Sequence, residues 1–311
     1  MSKYCFGVDL GGTTVKIGLF DTNGTVLEKW EIPTRKEEQG SLILPDIAKA
    51  INDKMAEKQM DKADVAGVGI GVPGPVNDEG VIYKAVNLGW DVMNISEILG
   101  DLVQLPVKAG NDANVAALGE MWCGGGKGYK NMVLVTLGTG VGGGIIINGN
   151  ILTGATGAGG EIGHIHIADG ESDTCGCGNH GCLEQYASAT GIVRLATRRL
   201  AADNEASVLR EGELTAKAVF DAVKEGDKVA CEIAEQFGLY LGKGLAAIAC
   251  VVNPEAFVIG GGVSKAGDIL CDYIAKNYTE YVFHGCRKVD FKLATLGNDA
   301  GIYGAAKLVL G

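Results

Sequence analysis

The chain has 311 residues, 47% hydrophobic and 21% charged, with 27 basic against 38 acidic side chains and a formal net charge of −11. That is a globular composition, long enough for two domains at ~150 residues each, and it needs no disulfide or metal merely to fold. The acidic balance, with no Lys/Arg cluster longer than a pair, argues against a nucleic-acid partner, and neither a signal peptide nor an uninterrupted apolar run of ~18 residues is visible.

Residues 4–21, YCFGVDLGGTTVKIGLFD, read as a strand over Tyr4–Asp9, a Gly/Thr turn over Gly11–Thr14 and a second strand over Val15–Asp21. TNG at 22–24 turns into a third strand, VLEKWEIP, whose partial alternation suits an exposed sheet region. A helix is expected from about Leu42 to Lys58, then a buried strand within ADVAGVGIGVPGPV at 63–76, ending in a Gly/Pro loop. In AGNDANVAALGEMW, Asn111 and Asp112 precede a helical run and can cap it. NMVLVTLGTGVGGGIIING at 131–149 repeats the opening pattern of strand, Gly/Thr turn, strand and turn. The basic stretch GIVRLATRRL at 191–200 is expected as a solvated helix face or subunit contact. NPEAFVIGGGVS at 253–264 is a second buried strand ending in a glycine loop. Four segments matching in order imply an internal duplication.

Glycine is the compositional outlier, with 49 residues against 6 prolines, concentrated after apolar runs. Two Gly/Thr hairpins suit a phosphate clamp, because glycines let backbone N–H groups point at an anion and threonine hydroxyls add donors. Neither hairpin fits G-x-x-x-x-G-K-[ST], and no G-x-G-x-x-G opens a helix after the first strand, so the P-loop and Rossmann readings fail.

Nine cysteines, an odd number, read as reduced thiols of a cytoplasmic protein. Cys5, Cys123, Cys231, Cys250, Cys271 and Cys286 are scattered singly and are expected as small core residues. Cys175, Cys177 and Cys182, in CGCGNHGC, give three of the four N/S ligands that structural zinc takes. Spacing alone leaves the fourth open among His180, His164 and His166. The C-x-C spacing is not the C-x-x-C of thioredoxin-like redox sites.

DLGGTTVKIGLF, LGTGVGGG and GGGVS resemble the two phosphate segments and the adenosine segment of the actin/hexokinase-like (ribonuclease H-like) ATPase fold. GEIGH at 160–164, followed by CGCGNHGCLE at 175–184, resembles the signature of the ROK family of bacterial sugar kinases and sugar-responsive repressors. VPGP, NLGW, NDANVAALGE and LEQYAS add to the likeness, which runs from Asp9 to about Gly304. It implies two α/β domains, 1–111 plus 299–311 and 112–298, the larger carrying the zinc loop. The sugar would lie deep in an interdomain cleft, with ATP across its mouth.

Within the family the motifs are most similar to those of ATP-dependent glucokinases, which implies transfer of the γ-phosphoryl group of MgATP to the 6-hydroxyl of glucose. A kinase for fructose, mannose or an N-acetyl hexosamine would use the same apparatus. A sugar-binding transcription regulator is disfavoured, since such relatives usually have eroded phosphate motifs and both hairpins are intact here. Glucose and ATP are the expected partners of a cytoplasmic homodimer, with no nucleic acid and no membrane.

Carried over by motif, the resemblance makes Asp112 the general base that takes the sugar hydroxyl proton; a helix N-terminus favours its ionised form. Asp9, at a strand end, would hold Mg²⁺. Gly11, Gly12, Thr13 and Thr14, with Gly138, Thr139 and Gly140, would bind phosphate, Lys16 would add charge, and Gly261 and Gly262 would lie against adenosine. Asn111, Asp112, Glu161, His164 and Glu184 would take the sugar, with Asn87 and Gly74 as further contacts. The family's E-x-G-H histidine makes His164 the fourth zinc ligand beside Cys175, Cys177 and Cys182, leaving His180 a bystander. Four protein ligands close the site, so this zinc is structural.

Overall fold

A computed structural model describes residues 2–83 and 85–311. The first elements are β1 (Tyr4–Leu10), β2 (Thr14–Asp21), β3 (Val26–Pro33), a single turn α1 (Glu37–Gly40), α2 (Ile43–Glu57) and β4 (Val65–Val72). Then come β5 (Val81–Ile82), β6 (Met93–Asn94), α3 (Ile95–Val103), β7 (Val107–Asn111), α4 (Asp112–Cys123), β8 (Met132–Leu137), β9 (Val141–Ile147) and β10 (Asn150–Ile151). The remainder is largely helical: α5 (Glu184–Ala187), α6 (Ala189–Ala202), α7 (Ala216–Lys224), α8 (Lys228–Val252), β11 (Ala256–Gly260), α9 (Asp268–Tyr281), β12 (Asp290–Leu293) and α10 (Ala300–Leu310).

Two five-stranded sheets share one strand order, β3-β2-β1-β4-β7 and β10-β9-β8-β11-β12, the duplication that the matching segments imply. In the first sheet β1 and β2 pair antiparallel with Asp9 opposite Lys16, while β4 and β7 run parallel to β1. Val72 pairs with Asn111. The carboxyl ends of β1, β4 and β7 therefore carry Asp9, the loop after Val72, and Asn111–Asp112, the end of an open α/β sheet where ligands bind. In the second sheet β8 and β12 run parallel to β11, and the carboxyl ends of β8 and β11 lead into Gly138 and Gly261.

The chain forms two compact units, Met1–Lys130 with Gly144–Gly160 and Leu296–Gly311, and Asn131–Gly143 with Glu161–Thr295. This division differs from the expected boundary at 111/112, because α4 packs within the first unit. The cause is close approach at bare glycines. A Cβ on Gly304 would stand 1.6 Å from the Val115 carbonyl oxygen, and one on Gly69 would stand 1.7 Å from that of Ala305. Glycine at these points lets α10 lie directly on α4 and on β4. Phe6, Val8 and Ile17 share a buried cluster with Ile43, Ile47 and Ile51 of α2, while Cys5 and Phe20 share another with Ile302 and Ala306 of α10. With helices on both sides, β1 and β4 are buried along most of their length.

In the second unit α8 buries Ile233, Phe237, Leu241 and Leu245 and packs with α6, α7 and α9. Among the described residues it is the one helix long and apolar enough to cross a membrane, with 25 residues and a mean hydropathy of 1.2. The expectation that no uninterrupted apolar run reaches this length stands, because charged residues break this one. Lys228, Glu232, Glu235 and Lys243 interrupt the apolar run in sequence, yet helical periodicity still gathers an apolar face. Half of its most apolar stretch is buried inside the protein, as in a core helix.

One further expectation changes. Of the scattered cysteines only Cys5 is buried, its thiol pushed up to about 12 by burial; Cys250 is exposed and the other four are half-buried. They sit at the margins of their elements, where a small side chain packs only partly. The basic stretch in α6 is solvated at Thr197 and Arg198, but its arginines are paired within the protein. Arg194 and Arg198 pair with Glu171 and Asp173, and Arg199 bonds Asp203, Glu205 and Glu232.

Candidate active site

In the first unit, Gly11 N–H donates to the Thr14 carbonyl at 3.1 Å and closes the β1–β2 hairpin, leaving Gly12 and Thr13 exposed at its tip. Asp9 lies just before this turn. Burial pushes its carboxyl above the usual range, Lys16 opposes the shift, and Asp112 adds to it. The Asp9 carboxylate rests on the first turn of α10, where a Cβ on Gly301 would lie 2.5 Å from its Cγ. Lys16, expected as an anion contact, has its Nζ donating to the Asn298 carbonyl at 3.0 Å, so its ammonium is tied to the segment that leads into α10.

Asn111 caps α4. Its Oδ1 accepts from the backbone N–H groups of Ala113 and Asn114 at 3.0 and 3.1 Å, and its Nδ2 donates to the Gly74 carbonyl at 3.2 Å. The asparagine thus joins the loop after β4 to the end of β7. Asp112 opens the helix itself, exposed, with Oδ1 accepting from Ala113 N–H at 2.8 Å. Asn87 is exposed on the short turn Val86–Leu88. A carboxylate presented at a helix start is placed to accept a proton from a hydroxyl group.

In the second unit, the hairpin between β8 and β9 is seated on the start of α6. Gly138 N–H donates to the Gly140 carbonyl at 3.0 Å, Ala189 N–H to the Gly138 carbonyl at 2.8 Å, and the Thr190 hydroxyl to the Thr139 carbonyl at 2.7 Å. Gly261 has φ +82, and a Cβ there would meet the Leu137 backbone at 2.5 Å, so this loop requires glycine. Beside it, Gly262 helps line an apolar cavity of about 320 Å³ with Ala189, Thr215, Ala216, Phe220 and Val263. A second cavity, of about 350 Å³, is shared by Gly138, Gly140, Gly261 and Glu184.

The structure brings His164, Cys175, Cys177 and Cys182 together, with their ligand atoms all within 4.8 Å of one another. Cys177 Sγ and Cys182 Sγ are 3.6 Å apart, and Cys175 Sγ is 3.7 Å from His164 Nδ1. A zinc tetrahedron built on the usual Zn–S and Zn–N lengths has edges of about 3.6–3.8 Å. Burial pushes the Cys175 thiol up to about 12 and raises Cys182, whereas the Asn179 backbone lowers Cys177. Such a cluster ionises fully only beside a cation, and its three sulfurs and one imidazole are the donor set of zinc. His180 is turned away, its Nδ1 3.1 Å from the Asp173 carbonyl, and His166 is engaged by His180 and Asp169.

With Nδ1 among the thiols, His164 has its Nε2 3.9 Å from Glu161 Oε2. Glu184, the first residue of α5, accepts a hydrogen bond from Cys175 Sγ at 2.8 Å and has Oε1 3.8 Å from His164 Nδ1. Glu161, His164 and Glu184 thus form one polar group beside the clustered thiols of Cys175, Cys177 and Cys182. Sequence reasoning missed several supporting contacts: in the first unit Gly301 against Asp9, and in the second Thr190 bonded to the Thr139 carbonyl and Glu171 bonded to Tyr186. The one signal for the last was Arg194 and Arg198, four residues apart and so on one helix face, which calls for an acidic partner.

The ROK family model matches residues 5–311. The chain belongs to the ROK family. Among its members, the glucokinase of Halalkalibacterium halodurans is 46% identical over 99% of this chain and 95% of its own length. An N-acetylgalactosamine kinase of a Shewanella species is 31% identical over 97% of this chain and 96% of its own. Among solved structures, a ROK glucokinase from Streptomyces griseus in complex with glucose and AMPPNP is 35% identical, with a TM-score of 0.72 and 98% of each chain covered. The ROK fold here is the actin/hexokinase-like ATPase fold, and the duplicated sheet order is its framework.

Proposed function

We propose that this ROK protein is an ATP-dependent glucokinase that transfers the γ-phosphoryl group of MgATP to the 6-hydroxyl of glucose. The observation that carries the reading is the group formed by Glu161, His164 and Glu184 around the zinc-ligand set, in a chain 46% identical to a glucokinase over nearly its whole length. Identity to the N-acetylgalactosamine kinase is lower, at 31%, which favours glucose over an N-acetyl hexosamine.

Asp112 takes the proton of the 6-hydroxyl as its oxygen attacks phosphorus. Such a transfer has a loose transition state, so positioning and charge neutralisation do most of the catalysis. Glu161, His164 through Nε2, and Glu184 accept and donate to the sugar hydroxyls, together with Asn111, Asn87 and the Gly74 backbone. Gly11, Gly12, Thr13 and Thr14 of one hairpin and Gly138, Thr139 and Gly140 of the other contact the phosphates. Gly261 and Gly262 lie against the adenosine, with the apolar cavity beside them for the base. Asp9 is the residue that would hold Mg²⁺, which supplies positive charge to the phosphoryl oxygens. Cys175, Cys177, Cys182 and His164 Nδ1 would hold zinc, fixing the imidazole that faces the sugar. We place the enzyme in the cytoplasm as a homodimer with no nucleic-acid or membrane partner.

An ADP-release assay across a panel of hexoses tests the proposal. Glucose should give the highest kcat/KM; a clear preference for fructose, mannose or an N-acetyl hexosamine would overturn the choice of sugar.

A further inference from the structure

Glu171 lies in ADGESDTCGCG, an acidic loop whose composition predicts a solvated carboxylate. The fold gives it the opposite setting. Its side chain is 2% exposed and accepts from the Tyr186 hydroxyl at 2.6 Å, from Nη1 and Nη2 of Arg198 at 3.1 and 3.0 Å, from Arg194, and from the Asp173 backbone N–H at 3.0 Å. One carboxylate therefore joins three pieces of the second unit: the segment running into Cys175, helix α6 through its two arginines, and helix α5 through Tyr186.

Helix α5 is a single turn that begins at Glu184, so it has little stability of its own. Tyr186 anchors it. The ring stacks on Tyr240 of α8 at 4.1 Å, lies 5.2 Å from the Arg194 guanidinium, and sends its hydroxyl to Glu171. Two residues earlier, the Glu184 carboxylate is 2.8 Å from Cys175 Sγ. Arg194, held by Glu171, lines a cavity of about 320 Å³ with Glu184, Thr139 and Gly140. Its Nε is buried with no hydrogen-bond partner, so Glu171 and not a fully satisfied guanidinium sets its place.

We propose that Glu171 is a positioning residue for sugar binding: by clamping the zinc loop and α5 onto α6, it fixes the direction in which Glu184 presents its carboxylate. The inference rests on the sugar-kinase reading. Glu171 itself touches neither the zinc-ligand set nor Glu184, and acts through Tyr186, Arg194 and the chain leading to Cys175.

The test uses E171Q and Y186F beside the wild type, with KM for glucose, KM for ATP, kcat and bound zinc measured for each. E171Q keeps the shape and an oxygen acceptor but removes the buried one of the two carboxylates that Arg194 and Arg198 share, leaving them the exposed Asp173. Glucose KM should rise about tenfold in E171Q, the low end of what removing a support behind a ligating group costs, and less in Y186F. The KM for ATP should stay within about twofold and zinc at one per chain, because the phosphate turn and the thiols are left in place. Glucose KM unchanged in both folded variants overturns the proposal, as does an equal loss for glucose and ATP with a lowered Tm, which marks a purely structural role. Should E171Q not fold, Y186F decides alone by the same two results. A wild type inert toward every sugar would instead sink the kinase reading, and is distinguishable because it needs no variant.

Discussion

Gly140 lies against Glu184: a Cβ at Gly140 would stand 2.5 Å from Glu184 Oε2. The residue that turns the β8–β9 hairpin thus leaves room for the carboxylate proposed to take the sugar.

That contact makes G140A informative. The clashing atom is the far end of a flexible side chain, and no other close atom stands in the way, so the carboxylate should swing aside while the hairpin survives. Thermal unfolding should stay near wild type, while glucose KM rises about tenfold or more, the worth of one charge-assisted hydrogen bond at about 1.5–3 kcal/mol. Steady-state kinetics beside a thermal melt check it, and a destabilised variant with normal glucose KM would refute the assignment of Glu184.

Two glycines on α10 make a paired prediction. A Cβ on Gly301 meets the Asp9 side chain at 2.5 Å, whereas one on Gly304 meets the backbone oxygen of Val115 at 1.6 Å. G301A should displace Asp9, lowering kcat and raising the Mg²⁺ concentration needed for half activity, at modest cost in stability. G304A should force α10 off α4 and destabilise the first unit by about 1–3 kcal/mol or more, as overpacking does. Mg²⁺ titration and urea unfolding of both variants separate the two. Equal Mg²⁺ dependence in G301A and wild type would remove Asp9 from the metal role.

The zinc-ligand set predicts a composition. Metal analysis of purified protein should find one zinc per chain, and C177S should lose it, since binding of structural zinc is coupled to ordering of its loop. The choice between histidines is equally testable: H180A should retain zinc and H164A should not. An active, metal-free protein would end the zinc reading.

Strands β1 to β4, β8, β9 and β11, the two hairpins and helices α2, α4 and α6 were legible because periodicity, caps and turn glycines act locally, whereas α3, α7, α8, α9, β7 and β12 were not read. The three cysteines were legible as candidate ligands for the same reason. The fourth candidate ligand was not legible from spacing, since His180 is nearer in sequence and only the fold, turning its ring toward the Asp173 carbonyl, leaves His164 with the thiols. It came from the E-x-G-H resemblance. The boundary after Asn111 was misread because α4 joins the first unit through Val115 and Gly304, a contact between distant segments that no local pattern encodes. Glu171 was invisible for a related reason. An acidic residue in an acidic loop looks solvated until the arginines of α6 are placed over it.

The same carboxylate predicts a pH effect. Arg198, with Tyr186 and the Asp173 backbone, holds the Glu171 carboxyl down at about 2, against an ordinary 4.5. Its folded value is the lower one, so its contribution to stability is complete above the ordinary value and is lost as pH falls toward about 2. Over that interval a single group adds a slope of up to about 1.4 kcal/mol per pH unit. Urea unfolding at several pH values from 5 downward should show a shallower acid limb for E171Q than for wild type. Parallel limbs would mean that Glu171 is not ionised and paired in the folded protein.

Asp112, proposed as the general base, can be tested by a conservative change. Asn111 caps α4 through Ala113 and Asn114, while Asp112 accepts from Ala113 N–H. An asparagine at 112 keeps an oxygen for that bond but cannot take a proton from the sugar. D112N should therefore fold normally and bind glucose with near wild-type affinity, while kcat falls by about 10²–10⁴. N111A should behave differently. It loses the cap, at about 1 kcal/mol, and frees the Gly74 loop, so its loss should fall on stability and glucose KM as well as on kcat. Glucose binding by calorimetry and turnover by ADP release distinguish the pair. A D112N enzyme that keeps near-normal turnover would show that the proton goes elsewhere.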